Sequence, residues 1–242
     1  MDGRRSGFFQ RLFGSKHGES ASSFYHMETF QSEAAFRQMM REHQLQNIWT
    51  QSLLESTYAV FDTETTGFNP KQDYMFSIGG VKVTGIGEVQ DTFYSLIRIP
   101  EHISIAEELL LSSQIKRSDI AQAPFVSNVL RDFLNFVGDS IWVAHYAKHD
   151  VRFINMASRQ CWKTELDIQV VDTERVGRIL FPDRQTATLE DMLTYFKVPI
   201  ENRHHALSDA QMTAKVWNHM LQHLQQKQIH TVGDLFEAII MQ

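Results

Sequence analysis

Residues 58–68 read YAVFDTETTGF, an apolar run that closes on an aspartate, a glutamate two positions later and a glycine turn. The aromatic and β-branched content of YAVFD is that of a buried strand. Side chains two apart on a strand share a face, so Asp62 and Glu64 project together from its end and can grip one cation between them. Gly67 and Pro70 end the strand in a turn that lets backbone amides and the hydroxyls of Thr65 and Thr66 approach a ligand closely. The same D-x-E spacing recurs at Asp172 and Glu174 in VVDTERV, and spacing alone does not rank the two. The second pair lacks the glycine turn and runs into RVGRIL, which reads as a helix, so the first is preferred.

Working outward, YMFSIGGVKV at 74–83 and TFYSLIRI at 92–99 read as two further strands, with Gly85 and Gly87 marking the turn between them. IWVAH at 141–145 and IQVVD at 168–172 read as short buried strands. Between the opening strands and these, Val126, Val129, Leu130, Phe133, Leu134 and Val137 keep helical spacing, the signature of an amphipathic helix. Leu207, Ala210, Ala214, Trp217, Leu221 and Leu224 step by three and four and predict a long closing helix. Three opening strands followed by alternating helices and strands indicate an α/β domain with a mixed sheet.

The chain has 242 residues, 43% of them hydrophobic, enough for a sizeable core. Its formal net charge of −6 argues against a wide phosphate-tracking surface that wraps duplex nucleic acid. It does not exclude a nuclease, because carboxylates that hold metal ions count as negative although bound cations offset them. The single cysteine, Cys161, rules out an internal disulfide and reads as a small buried hydrophobe of a cytoplasmic protein. No apolar run approaches the ~20 residues needed to cross a bilayer, and no secretory signal is evident. Residues 1–22 read as a flexible basic arm, in which Phe8, Phe9, Leu12 and Phe13 form a short amphipathic turn among Arg4, Arg5, Arg11 and Lys16. Residues 23–56 read as a helical extension, with Phe36, Met39, Met40, Ile48, Trp49 and Leu53 near helical spacing. The main domain is placed at 57–225 and a C-terminal helical tail at 226–242.

Two further carboxylates sit at the edges of apolar elements. Asp150, in WVAHYAKHD, stands three and four residues before Phe153 and Ile154, on the inward face of the next helix. Asp209, in HHALSDA, lies in the first turn of the closing helix, where the helix dipole favours negative charge. Four carboxylates in one pocket demand a cation, since two unit charges ~4 Å apart repel by about 4 kcal/mol at an effective dielectric near 20. Magnesium and manganese, which take oxygen ligands, fit. His204, five residues before Asp209, is placed to deprotonate an attacking water. His145 and His149 at i, i+4 beside Asp150 suggest a zinc site or a histidine-aspartate phosphohydrolase instead, but those enzymes are helical whereas HYAKHD follows a strand.

Together these segments resemble the three exonuclease motifs of the DEDD superfamily, in the branch whose last motif is histidine, four residues, then aspartate. FDTETTGFNP, SSQIKRSDIAQAP, FVGDSIWVAH, VVDTERVGRIL, TLEDML and HHALSDA carry the resemblance over about residues 57–222, and it extends to proofreading exonuclease domains and subunits of bacterial replicative DNA polymerases. It implies a ribonuclease H-like fold with a five-stranded mixed sheet flanked by helices, and hydrolysis of nucleic acid from its 3′ end to nucleoside 5′-monophosphates. It further implies that Asp62, Glu64, Asp150 and Asp209 hold two Mg²⁺ or Mn²⁺ ions, that His204 is the general base, and that Thr65, Thr66 and Phe68 hold and wedge the terminal nucleotide. The chain departs from the common second motif, with Tyr146 in place of asparagine and His149 in place of phenylalanine. Both lie where a terminal nucleotide is contacted and offer rings for single-strand stacking. Single-stranded DNA is the expected substrate. The alternatives are an RNA or short-oligonucleotide exonuclease, and a module of this fold that docks to a polymerase or repair partner.

Overall fold

The structure, a computed structural model, describes residues 48–183 and 188–241. Five strands, β1 (Thr57–Thr65), β2 (Met75–Thr84), β3 (Asp91–Leu96), β4 (Ile141–Ala144) and β5 (Val170–Asp172), form one sheet in the order β3-β2-β1-β4-β5. β1 runs antiparallel to β2 and parallel to β4, so the sheet is mixed as its sequence pattern indicates. The helices are α1 (Glu107–Ser113), α2 (Arg117–Gln122), α3 (Val126–Val137), α4 (Lys148–Trp162), α5 (Thr173–Leu180), α6 (Leu189–Tyr195), α7 (Ala206–Gln226) and α8 (Val232–Ile240). This is the ribonuclease H-like α/β architecture.

Alternation along β1 sorts the core into two layers. Tyr58 and Val60 point to one face, where they pack with Val81, Val83, Val143, Val171 and the α7 residues Trp217, Met220 and Leu221. Ala59 and Phe61 point to the other, against Val129, Leu130 and Phe133 of α3 and Phe153 and Ile154 of α4. The rings of Tyr58 and Trp217 meet edge to face at 5.2 Å, and Phe61 reaches Phe133 at 5.7 Å across the opposite layer. Asp62 and Glu64 continue the Tyr58 and Val60 side, under α7, whereas Thr63 belongs to the α4 side.

Gly79 is what lets α7 start where it does. It lies opposite Asp62 in the β1–β2 register and opposite Tyr94 in the β2–β3 register. A Cβ on Gly79 would stand 2.3 Å from the Leu207 nitrogen and 2.4 Å from the Ala206 carbonyl carbon. The first turn of α7 therefore rests on bare backbone, and no side chain fits between. Gly79→Ala is expected to destabilise the protein by about 1–3 kcal/mol or more through overpacking and to displace Asp209. Denaturant unfolding together with turnover measures both effects.

Of the extension read at 23–56, the structure describes residues 48–56. Ile48–Thr50 form a single 3-10 turn. Residues 51–56 are irregular, because Gln51 and Leu53 are tied to the loop before α8: Leu53 N donates to His230 O at 2.8 Å and Val232 N to Gln51 O at 3.0 Å. Leu53 is fully buried and Trp49 meets Phe236 of α8 at 5.4 Å. The basic arm and the extension up to residue 47 lie outside the described residues. The C-terminal segment is helical in α8, and its Val232, Leu235 and Ile239 join the same core as α7. Cys161, read as a small buried hydrophobe, is half-buried. No helix among the described residues is long and apolar enough to cross a membrane.

Candidate active site

The site forms at the C-terminal end of β1, where the two helical layers meet. β4 pairs with β1 only at Tyr58, Ala59 and Val60, which leaves the backbone beyond without a strand partner on that side. Asp150, in the first turn of α4, fills the gap. Its Oδ1 accepts from Thr63 N at 3.1 Å and from Thr63 Oγ1 at 2.6 Å. A buried amide that loses its ladder is thus satisfied by a carboxylate. On the other face the α7 N-terminus delivers Asp209, with Ala206 and Ala210 beside it fully buried.

Glu64, His204 and Asp209 converge so that one ligand atom from each lies within 4.8 Å of the others, the one such grouping among the described residues. Asp62 and Asp150 stand outside that triangle but share its electrostatic field. Loss of water raises the Asp62 carboxyl well above the usual range, and the charges of Asp150, Glu64 and Asp209 push it further. Burial lifts Glu64 to about 8, with Asp209 adding and Arg203 opposing. Burial lifts Asp150 to about 7, against the Thr63 hydrogen bonds that favour its ionised form. Such mutual repulsion is what a divalent cation relieves.

Asp209 shows that the donor set fits a metal. Its Oδ2 accepts from His204 N at 3.0 Å and pairs with Arg203 Nη1. Its Oδ1 is buried with no hydrogen-bond partner, an expensive state for a carboxylate oxygen unless something is bound there. His204 stands in the left-handed region at φ 63° and His205 returns to φ −120°, so the two adjacent rings diverge. His204 faces the carboxylates and His205 stacks on Tyr94 at 4.6 Å.

Arg203 is the site residue that sequence reasoning missed. It bonds Glu190 at the start of α6 through Nε at 2.7 Å and grips Asp209 with the other end of its guanidinium. One oxygen of Asp209 is thereby fixed and the other left to the cluster. Partners of this kind that orient a metal ligand are worth about 10–100-fold in affinity. Arg203→Gln is expected to weaken Mn²⁺ binding by about 10-fold, with Arg203→Lys intermediate; calorimetric titration with the metal alone measures it.

The remaining candidates separate into groups. Thr65 Oγ1 lies 3.0 Å from His149 Nε2, and Phe68, 86% exposed at the tip of the turn, meets the His149 ring at 5.8 Å. Thr65, Phe68 and His149 thus form one cluster beside Glu64, of which only Phe68 is exposed. Thr66 serves the turn itself: its Oγ1 accepts from Tyr74 N at 3.0 Å and donates to Asp73 at 3.3 Å. Gly67 is needed for the same reason, since a Cβ there would stand 2.6 Å from the Asp73 carboxylate. Tyr146, at φ 55°, packs against His145 at 4.8 Å, and its N–H donates to Asp172. His145 bonds Thr173 at 2.9 Å while His149 turns to Thr65, so the two histidines do not form a zinc pair. Asp172 caps α5 by accepting from Glu174 N at 3.0 Å, and Glu174 pairs with Arg178. The second D-x-E is therefore a helix start.

This fold and this grouping are those of a ribonuclease H-like exonuclease, and the comparisons agree. The model of the exonuclease family RNase_T matches residues 59–217, and the chain belongs to that family. It is 33% identical over 187 residues to DNA polymerase III PolC-type of Clostridium perfringens, covering 77% of this chain but only 13% of that protein. It is 29% identical to DNA polymerase III subunit epsilon of Aquifex aeolicus, covering 76% of this chain and 89% of the relative. Among solved structures, the nuclease domain of 3'hExo, a DEDDh family member bound to rAMP, superposes with a TM-score of 0.60 at 16% identity, covering 69% of this chain and 92% of that one.

Proposed function

We propose that the chain is a Mg²⁺- or Mn²⁺-dependent exonuclease that removes nucleotides from the 3′ ends of single-stranded DNA as nucleoside 5′-monophosphates. The partnerless buried Oδ1 of Asp209, a residue that converges with Glu64 and His204, carries this reading. Asp62, Glu64, Asp150 and Asp209 would hold two divalent ions, which supply Lewis-acid stabilisation of the entering and leaving oxygens. His204 accepts the proton of the attacking water, whose oxygen bonds to phosphorus as the bond to the 3′ oxygen of the preceding nucleotide breaks. That oxygen leaves and takes up a proton, giving a shortened strand with a new 3′-hydroxyl. Thr65, Phe68 and His149 are the candidates to seat the terminal nucleotide, with Phe68 as the wedge. Thr66 supports them by holding the turn, and Tyr146 borders the site on the α5 side.

The relatives' names supply the context of replicative polymerases, so a polymerase or repair partner is part of the proposal, as is a cytoplasmic setting. Matched DNA and RNA strands, each incubated with protein and either metal, test the substrate through initial rates and product analysis. Faster release of 5′-monophosphates from DNA supports the reading. A preference for RNA would move it to the exoribonucleases, because the 2′-hydroxyl is the group that a site uses to discriminate.

A further inference from the structure

The helix α8 and the residues that lead into β1 share an exposed apolar stripe. α8 buries Val232, Leu235 and Ile239 in the core. Arg175 Nη2 donates to Ile239 O at 2.8 Å, which ties the C-terminal end of α8 to α5. One helical turn apart on the outer side stand Phe236, half-buried, and Ile240, 78% exposed. Trp49, 43% exposed, extends this row through its ring contact with Phe236, and Met241, 77% exposed, ends it. Contiguous apolar surface on an anchored helix is characteristic of a contact site.

The direction of the chain selects what covers the stripe. Ser52 and Thr231 form an antiparallel bridge, with Leu53 bonded to His230 on one side of it and Gln51 to Val232 on the other. The Trp49 carbonyl then passes so close to Gly233 that a Cβ there would stand 2.9 Å from it, and the Trp49 ring reaches Phe236. Each step back along residues 53–49 is thus a step forward along α8, and the chain before Ile48 is aimed along the stripe toward Ile240. Its sequence suits that surface. In SEAAFRQMMREHQ at 32–44, Phe36, Met39 and Met40 stand at i, i+3 and i+4, the spacing that gathers apolar side chains on one side of a helix. Arg37 and Arg41 follow Phe36 and Met40 by one position, as the exposed Glu237 follows Phe236, so opposite charges edge the two apolar rows. The reach is sufficient: α8 has 9 residues, ~13 Å of helix, whereas the stretch from Met40 to Trp49 spans up to ~30 Å when extended.

We propose that the chain's own segment 32–44 docks on α8, laying Phe36, Met39 and Met40 over Trp49, Phe236 and Ile240. The contact is independent of the exonuclease reading, because this face belongs to α8 and not to the carboxylate cluster. Hydrogen exchange of the full chain, read by mass spectrometry, tests it. Amides of residues 36–44 are expected to exchange about 10- to 100-fold more slowly than in an unstructured peptide, the protection that burial of one or two large apolar side chains confers. Ile240→Asp should remove most of that protection, and Met40→Asp should speed exchange in residues 236–241. Ile240 is exposed on the described fold, so its substitution leaves the core intact. Leu111→Asp, at a comparably exposed apolar position of α1, should leave the protection of residues 36–44 unchanged. Exchange of residues 36–44 at peptide rates in the wild type, protection that survives Ile240→Asp, or equal loss in Leu111→Asp overturns the contact. Protection that rises with protein concentration, with a dimer seen by sedimentation, overturns it in favour of a second copy on the same face.

Discussion

Asp62→Asn is expected to lose nearly all turnover and, in the same protein, to raise the melting temperature of the metal-free form at pH 8. The loss, about 10³-fold or more, reflects the several kcal/mol that a correctly held cation contributes. The gain follows from repulsion, because Asp62 lies in the field of Asp150, Glu64 and Asp209. Removing one charge lifts Tm by roughly 2–4 °C for each kcal/mol of repulsion relieved. The gain should shrink at low pH. A carboxyl with a folded pKa above its unfolded value binds protons more tightly in the folded state, so stability falls as pH rises between the two. For Glu64 that window runs from 4.5 to about 8, and for Asp150 from 3.8 to about 7. The metal-free wild type should therefore melt higher at pH 5 than at pH 8, and saturating Mn²⁺ should reverse the order. Thermal scans of both proteins at the two pH values, with chelator and with metal, test this. An Asn variant that melts lower than wild type at pH 8 without metal would contradict the electrostatic account.

His204→Ala is expected to cost about 10²–10⁴-fold in turnover, the range for loss of a general base. The ring lies within ligand distance of Glu64 and Asp209, so geometry alone allows it either to take a proton or to bind the cation. Thermal stability separates the two roles. Metal at 100 times its Kd should raise the wild-type Tm by about 5–10 °C. If His204 is the base, the variant keeps that rise while losing turnover. A variant that loses both would make His204 a ligand and require another base. Retention of full turnover would remove His204 from the chemistry altogether.

Elements whose apolar spacing is regular were legible from residue types alone. The i, i+3, i+4 pattern from Val126 to Val137 marks α3 at both ends, and the Trp217 stripe marks α7. The short helices α1 and α2 carry no such stripe. The helix α6 starts with a capping box at Thr188 and Asp191, a signal present in the sequence and passed over. The carboxylates were legible because each ends or begins an apolar element. Gly79 was not, since nothing in SIGGV says which glycine a helix will rest on; only the sheet register, with Asp62 opposite, reveals it. Arg203 was hidden for a similar reason, because its partner Glu190 comes from a separate helix. Thr66 shows what only the fold reveals: its hydroxyl also ties the turn, accepting from Tyr74 N and donating to Asp73.

The most direct measurement follows single-stranded DNA labelled at its 5′ end or at its 3′ end during incubation with the full chain and Mg²⁺ or Mn²⁺. The account predicts a ladder of stepwise-shortened 5′-labelled products, immediate release of the 3′ label as a mononucleotide, and arrest of both by chelator. No shortening from the 3′ end, by folded protein that the metal demonstrably stabilises, would contradict it.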